Sequence, residues 1–391
     1  MNSDEIRISF GIGIIFALRI LGMAIIFPVI SIYGIHLRDA NNFLIGLTVG
    51  IYGLTQAILQ IPFGIASDRF GRKPLIILGL LIFFIGSMIA ALTDSIYGII
   101  LGRALQGSGA ISSVMMALLT DCIYEKNRTK SMAFIGISIG IAFFISIILG
   151  PVITNYFGFH SIFLIIALCS IFGIIIVLTL LPNRRNVRSF YPSSYSYKED
   201  ISNKEIPLQI FTLNLSILFL HCILSSNFLL LPTMMINLGI QSSFQWMIYF
   251  IVIIIAFILW TPLILFYEKR YSSRIIMLVC ILLLSIAESM FLYVSSYIGW
   301  FFIGLQFFFL SFIVMESFIP SLLSKYSSLG IHTGRNMGIY STSQFIGSAL
   351  GGILGGWLME LRGNFHSILL MNILICLIWL GIIILNKTSK I

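Results

Sequence analysis

Gly64-Ile65-Ala66-Ser67-Asp68-Arg69-Phe70-Gly71-Arg72-Lys73-Pro74 concentrates Asp68, Arg69, Arg72 and Lys73 between two long stretches without formal charge. Residues 40–67 before it and 74–93 after it contain no Asp, Glu, Lys or Arg. As helices, stretches of this length cross roughly 30 Å of hydrocarbon at about 1.5 Å per residue. The run therefore reads as a short charged turn between two membrane crossings. Composition extends that reading to the whole chain: of 391 residues, 59% are hydrophobic and 9% charged, with a mean hydropathy of +1.05. Soluble globular domains lie far from these values. Backbone groups in hydrocarbon must be paired within the protein, so the chain spans as helices or as a closed barrel. A barrel requires short alternating strands, and the apolar windows are long and unbroken.

Windows 336–359 and 363–386 supply two more crossings. The charge-free stretches 131–183 and 206–267 are too long for one crossing each. The first is expected to fold back at Asn155, Gly158 and His160, the second at Pro232, Asn237, Gly239 and Gln241, all turn-forming or polar residues. Segments 8–35, 95–119, 275–295 and 297–323, each interrupted by one charge, bring the total to twelve. The expected fold is an all-α membrane protein with twelve transmembrane helices. An even number returns both termini to one side. Of the 23 basic residues, all but Arg19, Arg38, Arg103 and Arg362 fall on the ends and loops of that side. Short positively charged loops stay in the cytoplasm, so both termini are expected there, in a bacterial inner membrane. The net charge of +9 then reports topology, not nucleic-acid binding. The first apolar segment carries Arg19 and lacks a small-residue cleavage site, so it reads as a retained helix. The five cysteines are scattered and imply neither a disulfide framework nor a metal site.

The polar stretch 182–207 is expected to be a cytoplasmic linker between two six-helix bundles, 1–181 and 208–391. An offset of 200 aligns Pro62 with Pro262, Asp68-Arg69 with Glu268-Lys269, Leu105-Gln106 with Leu305-Gln306, and Met115 with Met315. A duplicated six-helix unit is the trace of pseudo-symmetry that secondary transporters use to build a central site.

The charged turn also resembles the G-x-x-x-D-R-x-G-R-R/K signature of the major facilitator superfamily, through Gly64, Asp68, Arg69, Gly71, Arg72 and Lys73. Arg103-Ala104-Leu105-Gln106-Gly107 resembles the R-x-x-Q-G motif of its fourth helix, whose arginine is associated with proton coupling. Gly150-Pro151 matches the core of the fifth-helix antiporter motif, with Thr154 and Asn155 where two glycines are usual. Runs 18–23, 51–56, 100–110 and 340–345 are similar to bacterial members of the drug:proton antiporter group. The resemblance implies a network of Asp68, Arg72 and Asp121. It also implies that Asp68 faces the start of the eleventh helix near Asn336, where the helix dipole favours an anion and the contact latches the cytoplasmic side. One such member continues into a small soluble domain beyond its last helix; with the sequence here ending at Ile391, that domain is expected to be missing.

The resemblance further implies that helices one, four, seven and ten line the central cavity. Each carries one ionisable residue: Arg19, Arg103, His221 and Glu316. Intramembrane charges are expensive and mark function by default. Glu316 and His221 are the members of this set able to exchange a proton, while a guanidinium stays charged. Glu288, on a helix the resemblance puts at the periphery, reads as structural. Glycines 347, 351, 352, 355 and 356 put small residues on helix faces and read as packing positions. The expected function is proton-coupled antiport or efflux of small amphipathic compounds or metabolites by alternating access. Alternatives are a proton-coupled uptake symporter and a membrane receptor or scaffold that does not transport. No cofactor is expected beyond the proton gradient, and the partners are a small molecule, protons and the bilayer, with the chain acting as a monomer. No nucleophile, metal-ligand set or paired catalytic carboxylates point to an enzyme.

Overall fold

The computed structural model describes residues 1–182, 205–267, 273–294, 297–328, 333–363 and 365–385, so nearly all of the linker expected at 182–207, together with Glu268 and Lys269, lies outside the described residues. The helices are α1 (Ser3–Ala24), α2 (Phe27–Tyr33), α3 (Asn42–Phe70), α4 (Arg72–Ala91), α5 (Ile96–Ser108), α6 (Ser112–Cys122), α7 (Glu125–Phe157), α8 (Ser161–Leu180), α9 (Glu205–Asn237), α10 (Gln245–Tyr267), α11 (Ser273–Leu292), α12 (Gly299–Ser328), α13 (Thr333–Arg362) and α14 (His366–Leu385). They make twelve crossings, because α1–α2 and α5–α6 are each one span broken near its middle. Among the described residues, ten stretches are long and apolar enough to cross a membrane. The two others are the broken α5–α6 pair and α13, whose Ser, Thr, Gln and Gly content dilutes its hydropathy.

The outer surface is apolar, as lipid contact demands. On α8, Leu164, Leu168, Ile171, Phe172, Ile175 and Leu178 form an exposed stripe at helical spacing. A stripe of that extent facing water would be an aggregation surface. Turns fall where the chain needs an unusual backbone. Gly71, at φ 100°, ends α3 and begins α4, and Gly158, at φ 85°, ends α7. The second long window reverses between Leu238 and Gln241, with Gly239 at φ 82°. Pro232, expected at that reversal, lies instead inside α9, and its carbonyl accepts from Gln245 Nε2 at 2.9 Å. Asn155 likewise lies within α7, three residues before the turn.

The two halves meet most closely where α3 crosses α13. A Cβ built on Gly46 would lie 2.3 Å from the Gly352 carbonyl oxygen, so only glycine permits this approach. Farther along the same crossing, the Asn42 amide donates to Glu360 Oε2 at 3.0 Å. Phe27 of α2 packs on Phe228 of α9, with ring centroids 5.5 Å apart. These contacts lie away from the chain termini and close the far end of the interface. Nearer the termini, Gln60 Nε2 of α3 reaches the Gly338 carbonyl of α13 at 3.4 Å.

Candidate functional site

The four intramembrane ionisable residues sort into two groups. Arg19 on α1 is buried, and its guanidinium donates to the Gly109 carbonyl, to Gln56 Oε1 at 2.8 Å and to the Tyr52 hydroxyl at 3.1 Å. Gly109 lies in the break between α5 and α6, where interrupted helical bonding frees carbonyl oxygens. Arg19 supplies the donors that the break requires. Arg103 on α5 is fully buried and makes the corresponding contacts across the α1–α2 break. It donates to the Met23 carbonyl at 3.4 Å, to the Thr48 carbonyl at 3.5 Å and to Gln106 Oε1 at 2.9 Å, and lies 4.7 Å above the centre of the Tyr52 ring. Gln106 in turn donates to Ser87 Oγ at 2.9 Å. Among the described residues neither arginine forms an ion pair. Their charge is held by carbonyl and amide oxygens and by aromatic faces.

The second group lies where α9, α12 and α13 meet. His221 Nε2 is 3.0 Å from Glu316 Oε2, and the Gln344 amide nitrogen is 2.9 Å from His221 Nε2 and 3.1 Å from Glu316 Oε1. His221 is buried and Glu316 is partly open. The two groups approach each other at one point, because Tyr52 meets Phe345 of α13, next to Gln344, at a centroid distance of 6.3 Å. Tyr52 and Gln344 carry no charge, so composition alone did not single them out. The signal available was their position in otherwise apolar helices beside aromatic residues.

The charged turn forms its own cluster at the terminal end. Arg72 Nη1 is 2.5 Å from Asp68 Oδ1, and Arg72 Nε is 3.0 Å from Asp121 Oδ2 at the end of α6. Arg72 also donates to Ser67 Oγ at 2.5 Å, which donates to the Gly64 carbonyl at 2.6 Å. Lys73 caps the end of α8 through the Leu178 and Leu181 carbonyls at 3.3 and 3.0 Å. The Arg69 guanidinium lies 5.7 Å from the Phe70 ring centre. Gly64 faces Ser113 of α6, whose hydroxyl donates to the Gln60 carbonyl at 2.9 Å. In α7, a Cβ on Gly150 would lie 2.4 Å from the Ile25 carbonyl oxygen, so Gly150-Pro151 presses against the α1–α2 break.

This arrangement of paired six-helix sets agrees with a family match: the Major Facilitator Superfamily pattern fits residues 12–331. The chain belongs to that superfamily. It is 43% identical over 382 residues to the inner membrane transport protein YajR of Escherichia coli strain K12, covering 98% of this chain and 84% of that one. It is 42% identical over 383 residues to an uncharacterized transporter of Buchnera aphidicola subsp. Schizaphis graminum, covering 97% and 96%. Among solved structures, a D-xylose-proton symporter matches with a TM-score of 0.74 over 99% of each chain, at 14% identity, which shows the shared fold. The protein is therefore a multi-pass membrane transporter and not an enzyme. Transporters of this superfamily bind small-molecule substrates, work as single-chain units and generally need no cofactor.

Glu288 on α11 forms a third polar cluster within the C-terminal set. Fully buried, it accepts from Asn227 Nδ2 at 2.5 Å and from Asn372 Nδ2 at 3.1 Å. Asn372 also donates to Asn227 Oδ1 at 3.1 Å, and Ser226 donates to Asn372 Oδ1 at 2.8 Å. The cluster ties α9, α11 and α14 together.

Proposed function

We propose that the protein is a proton-coupled antiporter that exports small amphipathic compounds or metabolites by alternating access. The observation that carries this reading is the His221–Glu316 pair in the membrane core, 3.0 Å apart and without a basic partner other than the imidazole among the described contacts. A carboxyl group in that setting is expensive as a lone anion, and the imidazole beside it supplies a proton-carrying partner. Arg19 and Arg103 hold the broken helices in place and keep a fixed positive charge on the opposite wall. The direction of transport is supported by the Gly150-Pro151 pair against the α1–α2 break and by resemblance to the antiporter group. The two bundles are assigned to 1–181 and 208–391, with 182–207 as their linker. The chain functions as a monomer in a bacterial inner membrane with both termini cytoplasmic. Asp68 acts as the gate, exchanging its Arg72 contact for the start of α13 near Asn336 when the terminal side closes.

The test is solute-elicited proton flux in liposomes holding the purified protein, with imposed pH gradients of either sign. Export predicts that a transported solute moves proton equivalents in the opposite direction and accumulates on the acid side. Solute movement in the same direction as protons would establish uptake instead. A protein that moves no solute under either gradient would sink the transport mechanism proposed for this pair.

A further inference from the structure

Three edges join the polar atoms of His221, Glu316 and Gln344, and each edge needs one hydrogen. The distances are 3.0 Å for His221 Nε2 to Glu316 Oε2, 2.9 Å for the Gln344 amide to His221 Nε2, and 3.1 Å for that amide to Glu316 Oε1. An imidazole nitrogen offers either one hydrogen or one lone pair, and an ionised carboxylate only accepts. Suppose Glu316 is ionised. The histidine–glutamate edge then needs a hydrogen on Nε2, which leaves the Gln344 amino group facing another donor. Charging the imidazole changes nothing, because Nε2 keeps its hydrogen. Moving the hydrogen to Nδ1 repairs the glutamine edge but sets the Nε2 lone pair against Oε2. Rotating the amide end for end sets its oxygen against the carboxylate. No tautomer and no amide orientation makes all three edges attractive.

One proton on Glu316 removes the conflict. With Oε2 protonated, Glu316 and the Gln344 amino group share the one Nε2 lone pair as donors, and the second Gln344 hydrogen goes to Oε1, so no edge sets donor against donor or acceptor against acceptor. With Oε1 protonated and the amide rotated, Glu316 donates to the amide oxygen and the one Nε2 hydrogen is shared between that oxygen and Oε2. We propose that Glu316 carries a proton in this conformation with the far end closed, and that Gln344 is the positioning residue that passes its loss to α13. The inference rests on the proton-coupling reading of the same pair.

The position of Gln344 gives the lost edge a mechanical consequence. One and two turns beyond it, Gly347 and Gly351 of α13 lie against α9 so closely that an added Cβ would be 2.1 Å from the Leu218 and Cys222 carbonyl oxygens. On another face, Gly352 and Gly356 of α13 form the crossing with α3 that closes the far end. Such a helix slides more readily than it tilts, and the triangle fixes its register on α9. Deprotonation breaks an edge, frees that register and loosens the far seal. Other groups around the triangle are few. The buried Tyr340 phenol on α13 faces Glu316, the Phe312 ring on α12 lies 6.0 Å from the imidazole, and Tyr52 of α3 reaches α13 through Phe345.

The test uses the full chain in liposomes, with spin labels at exposed Leu92 and Leu361, one in each half at the far end. Pulsed distance measurements report the ratio of closed to open far ends against pH, and infrared difference spectra report the protonated carboxyl band. In the wild type, the closed form should dominate at acidic pH and fall as pH rises, by up to about tenfold per pH unit for one proton. Gln344→Leu should flatten that slope to less than about twofold, while the carboxyl band assigned by its loss in Glu316→Gln persists. An unchanged slope in Gln344→Leu overturns the positioning role and leaves proton coupling standing. Should that variant fail to insert, the wild-type spectrum decides alone: absence of a Glu316 carboxyl band in the closed form overturns the inference. Gradient-driven transport that survives in Glu316→Gln overturns the underlying reading as well, and is measured separately.

Discussion

The N-terminal and C-terminal halves share a repeat but differ in the ionisable residues near the middle of their spans: arginines in the first, a histidine and glutamates in the second. At the offset of 200, Arg19 corresponds to Phe219, Arg103 to Ile303, His221 to Leu21, Glu316 to Met116 and Gln344 to Phe144. Frame residues persist, whereas none of these membrane-embedded ionisable residues has a counterpart of its own kind. Gln106 bonds Arg103 and Ser87, whereas Gln306 retains the amide without the arginine, and its nitrogen is buried with no hydrogen-bond partner among the described residues. The N-terminal half holds two guanidinium groups, each bonded to carbonyl oxygens at or beside a helix break. The C-terminal half holds Glu288 and Glu316 on unbroken helices. On the proposed mechanism, fixed charge organises one wall and exchangeable charge switches the other.

The most severe way to test this division is Glu316→Gln. It should abolish proton-driven accumulation and flatten the pH profile of transport, because the C-terminal half would lose its exchangeable group beside His221. Flux against pH in liposomes measures both effects. A pH profile unchanged in this variant would place the switch elsewhere and dissolve the contrast between the halves.

Arg103→Gln should act differently. It removes a fixed charge and leaves the Met23 and Thr48 carbonyls short of donors, at about 1–3 kcal/mol for unsatisfied buried groups. The rate should fall roughly tenfold at all pH values, with the midpoint of the profile unmoved, since 1.4 kcal/mol corresponds to tenfold. A shifted midpoint would show that the N-terminal charges tune the proton directly. Gly46→Val tests the seal between the halves. A side chain forced against the Gly352 carbonyl costs about 1–3 kcal/mol of overpacking in the closed far end. Spin-label distances should shift toward the open form, with protonation of Glu316 preserved.

How far the sequence disclosed this arrangement depended on charge. Charge-free windows gave the crossings, and the glycine-bounded turn at Gly64–Lys73 gave the Asp68–Arg72–Asp121 cluster by resemblance. The breaks at Ile25-Ile26 and at Gly109–Ile111 were illegible because both run through apolar or small residues, with Pro28 as the sole local hint. Pro232 misled in the other direction. A proline inside a membrane helix is tolerated when its neighbours re-satisfy the backbone, and Gln245 does that for the Pro232 carbonyl. The separation of Arg19 and Arg103 from His221 and Glu316 depends on tertiary contacts that no spacing along one helix reveals. Gln344 escaped notice because an uncharged amide gains its meaning only from the two groups it touches.

The smallest expected effect concerns the gate at the terminal end. Asp68 is 67% exposed in its side chain, and exposed ion pairs contribute about 0–1 kcal/mol. Arg72 also keeps Asp121 as a partner at 3.0 Å when Asp68 is neutralised. Asp68→Asn should therefore leave insertion and the closed far end intact. Its effect should fall on the conformation in which the terminal side closes, where the proposed latch brings Asp68 to the positive end of the α13 dipole, a contact worth about 0.3–1 kcal/mol at an exposed site. Turnover should drop up to about fivefold, with the shape of the pH profile preserved, because the proton-exchanging group lies elsewhere. Stopped-flow proton flux at fixed gradient measures the drop. Wild-type turnover in Asp68→Asn would remove the latch while leaving the division of charge between the halves untouched, and a changed pH profile would tie the gate to the proton site itself.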